Sequence, residues 1–199
     1  MIVRCATTNT GKLREFRLAG EQHGHFVVET LTDLSRIAAP DETGHTFEQN
    51  AVQKALYYGA FTPDWLFVDD SGLQVDILAG APGVHSARYA GPGATDEANN
   101  RLLLERLQGA PNGDAQFVCV IALARAGKLV GTFRGAVRGR ILDAPRGPNG
   151  FGYDPLFFYP PFGCTFGEAG AAEKMNVSHR AQALRAMFSW LSAEVAAAD

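Results

Sequence analysis

The feature that most constrains this chain is an apolar run that ends in two adjacent carboxylates. Residues 65–68 read Trp-Leu-Phe-Val, and they are followed directly by Asp69, Asp70, Ser71 and Gly72. This pattern predicts a buried strand that ends at a turn, with the two carboxylates at its carboxyl end. Open α/β sheets place their ligand-binding and catalytic residues at the carboxyl ends of strands. Adjacent acids there suit a hard divalent cation with oxygen ligands, usually Mg²⁺. The alternative is a strand-ending turn in which the aspartates bond only to local backbone.

Length, charge and cysteine usage limit the class of protein. A chain of 199 residues can bury one sizeable core, which predicts a single domain over residues 1–199 with room for a smaller lobe. The formal net charge of −3 offers no basic field to long nucleic acid, so any phosphate recognition must be local. No apolar run approaches the roughly 18 residues of a membrane span, so no membrane association is expected. The first residues lead straight into a strand rather than a signal peptide, and the three scattered cysteines favour a reducing cytoplasm.

Strand and helix patterns are interspersed along the chain, which predicts a mixed α/β fold. Helices are predicted at 12–19, 46–60, 95–108 and 178–198, the last three capped by Thr46, Thr95 and Ser178. Strands are predicted at 2–7, 26–30, 66–70, 73–78, 115–125, 128–141 and 156–159. Segment 79–94 is rich in Gly, Ala and Pro, and its length indicates a functional loop.

The first segment that carries chemistry joins the opening strand to its helix. It consists of Thr7, Thr8, Asn9, Thr10, Gly11 and Lys12. Helix N-terminal N–H groups and a lysine both favour anions, so the segment predicts a phosphate cradle, although it lacks the P-loop spacing. Taken alone, Asn9 and Lys12 would be an ordinary helix cap and a solvated lysine.

Two further segments combine polar or aromatic side chains with glycine. Glu42 precedes the helix that starts at Thr46, where it could join Asp70 around a metal or simply be part of a charged loop. Residues 147–155 place three glycines around Phe151 and Tyr153. Such a loop lets a flat ligand approach main chain and stack on a ring, or it is a turn with core aromatics.

The last segment gathers donors at the start of the closing helix. Lys174 is followed by Ser178, His179 and Arg180. Cations oppose the helix dipole at an N-terminus, so this placement favours a functional role over a solvated face.

Together these segments resemble the inosine triphosphate pyrophosphatase family, in its bacterial form that hydrolyses dITP and XTP. The matching segments, in the family's order, are 7–12, 42–47, 69–73, 80–89, 150–155, 173–174 and 178–180. One position departs from the family pattern, because the helix usually reads Phe-x-Glu-Asn-Ala and here Gln49 replaces that Glu. If the Glu orients a metal-bound water in relatives, Gln49 must do so without a charge.

The resemblance implies an elongated mixed central sheet flanked by helices, with a second lobe, a nucleotide cleft between the lobes, and a homodimer. It also implies Mg²⁺-dependent hydrolysis of dITP, ITP or XTP between the α- and β-phosphorus, which removes deaminated purines from the cytoplasmic nucleotide pool. Two rivals remain open. One is a related pyrophosphatase that acts on modified pyrimidine or methylated guanine triphosphates, and the other is a catalytically silent nucleotide-binding module.

Residue roles follow from the same resemblance. Asp70 is expected to bind metal and accept the proton of the attacking water, with Glu42 and Asp69 as co-ligands. Residues 7–12 and Lys174 are expected to hold phosphates, and Ser71 to contact substrate. The residues expected to hold the base are Phe151, Gly152, Tyr153, Asp154, His179 and Arg180.

Overall fold

The computed structural model describes residues 1–24 and 26–198, and its elements confirm the mixed α/β fold. The strands in this part of the chain are β1 (Ile2–Cys5), β2 (Val27–Thr30), β3 (Trp65–Val75), β4 (Asp114–Arg125), β5 (Lys128–Ile141), β6 (Phe157–Tyr159) and β7 (Cys164–Thr165). The helices are α1 (Thr10–Gln22), α2 (Phe47–Gly59), α3 (Asp96–Leu107), α4 (Ala171–Val177) and α5 (His179–Ala198). None of these helices is long and apolar enough to cross a membrane.

The strands form one mixed sheet in the order β2-β1-β3-β4-β5-β6-β7. β1 lies parallel to both β2 and β3, with Cys5 opposite Phe67 in the second pair. β6 is antiparallel to β5 and β7. β4 and β5 are joined at the predicted turn, where Ala126 and Gly127 both have positive φ, as a two-residue hairpin requires.

The prediction that the central strand stops after Asp70 is wrong. β3 continues through Ser71 and Gly72 to Val75, so the two acids lie in the middle of a strand. A Cβ at Gly72 would lie 2.3 Å from Ser86 Oγ, and Ser86 Oγ accepts a hydrogen bond from Leu73 N–H at 2.9 Å. The glycine therefore permits a close approach by another segment and does not make a turn. The separate strand predicted at 73–78 is wrong in the same way, because residues 76–78 form a 3₁₀ turn.

The predicted helix starts at Thr46 and Thr95 are confirmed. The hydroxyl of Thr46 accepts from Gln49 N–H, and that of Thr95 accepts from Ala98 N–H. Helix α5 begins directly after Ser178, whereas the short helix α4 before it was not predicted. Segment 79–94 is partly ordered as a 3₁₀ helix at Gly83–Arg88.

The chain divides into two compact units, each with its own apolar core. Unit one comprises residues 1–70, 119–135 and those from 180 onward, and unit two comprises 71–118 and 136–179. In unit one Phe26 stacks on Phe188 with ring centroids 4.8 Å apart. In unit two Phe117 packs on Phe157 at 4.5 Å within a buried aromatic cluster.

Candidate functional site

The buried acid pair lies in unit one, in the middle of β3. Asp69 and Asp70 are almost fully buried, which is costly for carboxylates unless they are paired. Successive strand residues point to opposite faces of a sheet, so the two side chains meet different partners. The pair therefore forms two environments instead of one symmetric carboxylate site.

Asp69 is held by two cations. Lys12 Nζ lies 3.0 Å from its carboxylate, and Arg180 Nε lies 3.4 Å from Oδ2. Burial alone would raise the pKa of Asp69, but the charges of Lys12, Arg180 and Lys54 together outweigh burial and hold that pKa well below its usual range. Asp69 is therefore ionised across the physiological range.

Arg180 connects Asp69 to a second buried acid. Its Nη1 lies 2.5 Å from Glu15 Oε2, and the guanidinium is almost completely buried. Burial opposes the charge of Arg180, yet Glu15 and Asp69 together raise its pKa above the ordinary value. The structure therefore places Arg180, expected at the base, between two carboxylates of unit one, and its contact with a base stays a prediction.

Asp70 faces a lysine and an amide from helix α2. Lys54 Nζ lies 2.8 Å from Asp70 Oδ1, and Asn50 Nδ2 donates to Oδ2 at 3.2 Å. Lys54 also lies 2.7 Å from Glu42 Oε1, so Glu42 and Asp70 share one ammonium group. Burial raises the pKa of Asp70, although Lys54 partly offsets the effect. Of the two adjacent acids, Asp70 is therefore the one better suited to accept a proton.

The acids around Lys54 have the chemistry of a magnesium site, although no ready-made cluster of three metal-binding side chains exists among residues 1–24 and 26–198. Glu42 and Asp70 both offer carboxylate oxygens, the ligand type that Mg²⁺ prefers. Mg²⁺ commonly binds through one or two carboxylates and completes its shell with water and substrate phosphates. The residues therefore fit a Mg²⁺ that arrives with a triphosphate, when extra negative charge balances the cations already present.

Sequence reasoning missed Asn50, Lys54 and Glu15. Asn50 and Lys54 are four residues apart and so share one face of α2 with the buried Ala51 and Ala55. Polar residues inside a buried stripe are the signal that could have found them. Gln49 is engaged locally, since its Oε1 accepts from His45 N–H at 2.8 Å.

The segment predicted to be a phosphate cradle leads into α1 in unit one and forms the first residues of that helix. Asn9 Oδ1 caps the helix by accepting from Lys12 N–H at 2.9 Å, and Thr7 Oγ1 accepts from Asn9 N–H at 3.2 Å. Thr8 and Thr10 are exposed, and Gly11 is half-buried. The helix start thus brings the Lys12 side chain to Asp69 and leaves hydroxyls at the surface.

A second group of predicted residues comes together in unit two. Asp154 Oδ2 accepts from Phe151 N–H at 2.9 Å and pairs with Lys174 Nζ at 2.6 Å. The Lys174 ammonium lies 4.9 Å from the centroid of the Phe151 ring. Gly150 is required here, because it has φ +78° and a Cβ would lie 2.2 Å from Asp154 Oδ2. Lys174, expected at the phosphates, is therefore paired with Asp154 beside Phe151.

The remaining predicted residues lie around this group. Tyr153 is buried and donates its hydroxyl to the Ser86 carbonyl at 2.9 Å, and burial raises its pKa above the ordinary value. His179 stacks on Phe117 with centroids 4.8 Å apart and is also buried. Ser71 is half-buried on β3. A contact between any of these side chains and a base or phosphate stays a prediction.

Comparisons with known proteins agree with the motifs. A model of the Ham1 family matches residues 3–190. A dITP/XTP pyrophosphatase of Exiguobacterium sp. is 50% identical over 180 residues, covering 90% of this chain and 91% of that protein. One of Syntrophobacter fumaroxidans is 49% identical over 185 residues, covering 92% and 78%.

Solved structures show the same relationship. The Ham1 protein of Staphylococcus aureus has a TM-score of 0.86 at 36% identity, covering 98% of this chain and all of that one. A nucleoside-triphosphatase/dITP/XTP pyrophosphatase of Mycobacterium abscessus has a TM-score of 0.73 at 39% identity, covering 94% and 97%. These matches extend over nearly the whole chain and confirm the resemblance drawn from its motifs. The chain belongs to the Ham1 family.

Proposed function

We propose that this protein is a Mg²⁺-dependent pyrophosphohydrolase that converts dITP, ITP and XTP to the monophosphate and pyrophosphate. The observation that carries the proposal is the buried pair Asp69–Asp70 with Lys12 and Lys54 against it, in a chain about half identical to proteins named dITP/XTP pyrophosphatase. Buried acids surrounded by cations suit phosphoryl chemistry, in which positioning and charge stabilisation supply most of the catalysis. The reaction would remove deaminated purines from the nucleotide pool.

The two acids would have different roles. Asp70, whose pKa burial raises, would accept the proton of the attacking water as general base. Asp69, held ionised by Lys12 and Arg180, would fix the position of Lys12. Environments that push two neighbouring carboxyl groups apart in pKa are a common basis for acid and base assignments.

Mg²⁺ would be held by Asp70 and Glu42. Asp69 would serve as a further ligand only by giving up part of its contact with Lys12 and Arg180. When bound, the ion would neutralise charge on the phosphates and make the attacking water more acidic. Lys54 holds the carboxylates of Glu42 and Asp70 together, at 2.7 and 2.8 Å, and so keeps both oxygens at one place.

The substrate would be recognised at its phosphates and its base. Lys12 and the start of α1 supply cationic and N–H donors suited to phosphate, and Lys174 and Ser71 would add to them. Phe151 offers a ring for stacking, and the segment around it, Gly152, Tyr153 and Asp154, would surround the base together with His179 and Arg180.

The same resemblance supports three broader proposals. Residues 1–199 would act as one functional domain, and the protein would be a homodimer. It would work in the cytoplasm, where the free, buried thiols of Cys5 and Cys119 meet a reducing environment.

Pyrophosphate release across a panel of triphosphates, with and without Mg²⁺, tests the proposal. A site that donates to the 6-keto group rejects the 6-amino group of adenine, because opposed donors leave a buried group unpaired. We expect ITP, dITP and XTP to exceed ATP and GTP in kcat/KM by at least about a hundredfold, or about 2.7 kcal/mol. Guanine shares the 6-keto group, so the rejection of GTP must come from exclusion of its 2-amino group. Comparable hydrolysis of ATP and ITP contradicts the base preference. Preference for modified pyrimidine or methylated guanine triphosphates supports that rival, and binding without turnover supports a silent binding module.

A further inference from the structure

Helix α3 holds the backbone next to Phe151 in unit two. Asp96 Oδ2 accepts a hydrogen bond from Gly152 N–H at 2.6 Å. Asn100 Nδ2 donates to the Gly152 carbonyl at 3.1 Å. Asp96 and Asn100 are four residues apart and therefore share one face of α3. We call these three residues the Gly152 clamp.

The clamp is a polar attachment. Gly152 has φ +62°, and a Cβ built on it would meet nothing within 4 Å, so side-chain packing does not hold this position. On the other side of Phe151, its own N–H donates to Asp154 Oδ2 at 2.9 Å. The two N–H groups that flank the Phe151 Cα are thus each bonded to a carboxylate. Fixing both peptide groups fixes the backbone dihedrals of Phe151, and with them the direction in which its ring leaves the main chain.

The side-chain oxygen of Asn100 lies where it is energetically unfavourable. This Oδ1 atom is buried and has no hydrogen-bond partner among residues 1–24 and 26–198. A buried acceptor without a partner costs free energy that an apolar side chain would not incur. Through its Nδ2 the same amide donates a hydrogen bond to the Gly152 carbonyl, which is the contact relevant to the clamp.

The clamp also faces open space. Asp96, Asn100, Phe151 and Gly152 all contribute to the wall of a cavity of about 1010 Å³. Substitution of Asp96 or Asn100 therefore removes a hydrogen bond to Gly152 without creating a void in the buried aromatic cluster of unit two.

We infer that Asp96 and Asn100 are positioning residues for base recognition, acting by holding Phe151 in the orientation in which its ring meets the purine. The inference rests on the proposed function, since it takes Phe151 as part of the base site. Aromatic stacking depends on ring offset and orientation, so a mobile ring binds a base less well than a fixed one. Lys12, the first of the proposed phosphate contacts, pairs with Asp69 in unit one, whereas the clamp lies in unit two, so the larger effect is expected on the base.

Binding of two product ligands tests the inference. The wild type and the variants Asp96→Ala and Asn100→Ala are titrated calorimetrically with inosine monophosphate and, separately, with pyrophosphate. We expect each variant to bind inosine monophosphate about tenfold more weakly and pyrophosphate within about twofold of the wild type. Glu97→Ala removes an exposed acid from the same turn of α3 without touching Gly152, and should match the wild type with both ligands.

Isosteric variants of Asp96 and Asn100 repeat the comparison with substitutions that are expected to preserve the fold. Asp96→Asn keeps an oxygen that can accept from Gly152 N–H, so it should restore most of the inosine monophosphate affinity. Asn100→Asp sets an acceptor against the Gly152 carbonyl and should be at least as weak as Asn100→Ala. If an alanine variant fails to show a cooperative melt, this isosteric pair supplies the same comparison.

The inference and the proposed function fail separately. Equal losses for both ligands, or no loss for either, would overturn the clamp as a positioning device. A wild type that releases no pyrophosphate from dITP contradicts the proposed function whatever the variants do. An active wild type with clamp variants that keep full inosine monophosphate affinity contradicts the inference alone.

Discussion

Asp69 and Asp70 show how one residue step changes the chemistry of a side chain. They are neighbours on β3, yet Asp69 meets Lys12 and Arg180 whereas Asp70 meets Lys54. The pKa of Asp69 is lowered by those cations, and the pKa of Asp70 is raised by burial. The alternation of side chains along a strand is the cause, because it turns adjacent residues to different neighbours.

The Asp70→Asn variant tests the proposed base directly. Turnover of dITP should fall by roughly 10²–10⁴-fold, because the amide cannot accept the proton of the attacking water. The fold should persist, since Asn is isosteric and Lys54 keeps its contact with Glu42. Initial rates of pyrophosphate release and a thermal melt measure the two quantities. Turnover within about threefold of the wild type, with an unchanged melt, would remove Asp70 from the mechanism.

Asp69 makes a prediction about pH and stability. Its folded pKa lies below the unfolded value of about 3.9, so its contribution to the free energy of unfolding is present above that pH and is lost as pH falls toward the folded pKa. Near pH 7, Asp69→Asn should cost about 3–5 kcal/mol, because Arg180 and Lys12 lose a buried partner. The gap to the wild type should narrow as the pH falls below about 4.

Denaturant unfolding in metal-free buffer at several pH values measures this gap. Asn in place of the exposed Asp143 is the matched control, and it should follow the wild type throughout. A gap for Asp69→Asn that stays constant down to pH 2 would show that its charge is not responsible.

At the scale of elements, the sequence predicted the features that depend on hydrogen bonds between residues close together in the chain. The caps at Thr46 and Thr95 lie where they were expected, because a hydroxyl bonds a backbone N–H only three residues away. The full length of β3 was not predicted because Gly72 is a residue type common in turns. The glycine is needed instead because Ser86, fourteen residues further along the chain, packs closely against it. The role of Lys54 was missed for the same reason, since its partner Asp70 lies on another element.

Gly72→Ala tests the close approach at β3. The new Cβ would lie 2.3 Å from Ser86 Oγ and 2.6 Å from the Gly83 carbonyl oxygen, so something must shift. We expect a loss of about 1–3 kcal/mol in the free energy of unfolding. Gly131→Ala in β5 is the matched control, because its Cβ would meet only Phe133 at 3.8 Å and should cost little. Equal stability of the two variants in chemical denaturation would refute the close-approach explanation.

At the scale of the whole molecule, the net charge does not show where the cationic side chains are concentrated. The chain carries a formal net charge of −3, which gives no general attraction for phosphates. Lys12, Lys54 and Arg180 nevertheless converge on Asp69 and Asp70. The family and the α/β class could be read from the motifs and the interspersed strand and helix patterns. The pairing of each cation with its acid could not, because it depends on contacts up to 165 residues apart in sequence, the separation of Arg180 and Glu15.

The reaction proposed for this chain is cleavage of its substrate between the α- and β-phosphorus. The ³¹P NMR spectrum of the wild type with dITP and Mg²⁺ tests it most directly, with Asp70→Asn as the matched sample. We expect the three triphosphate resonances to be replaced by those of the deoxynucleoside monophosphate and pyrophosphate, while the variant retains the triphosphate over the same time. Formation of a diphosphate with orthophosphate would show cleavage between the β- and γ-phosphorus and would rule out the proposed reaction.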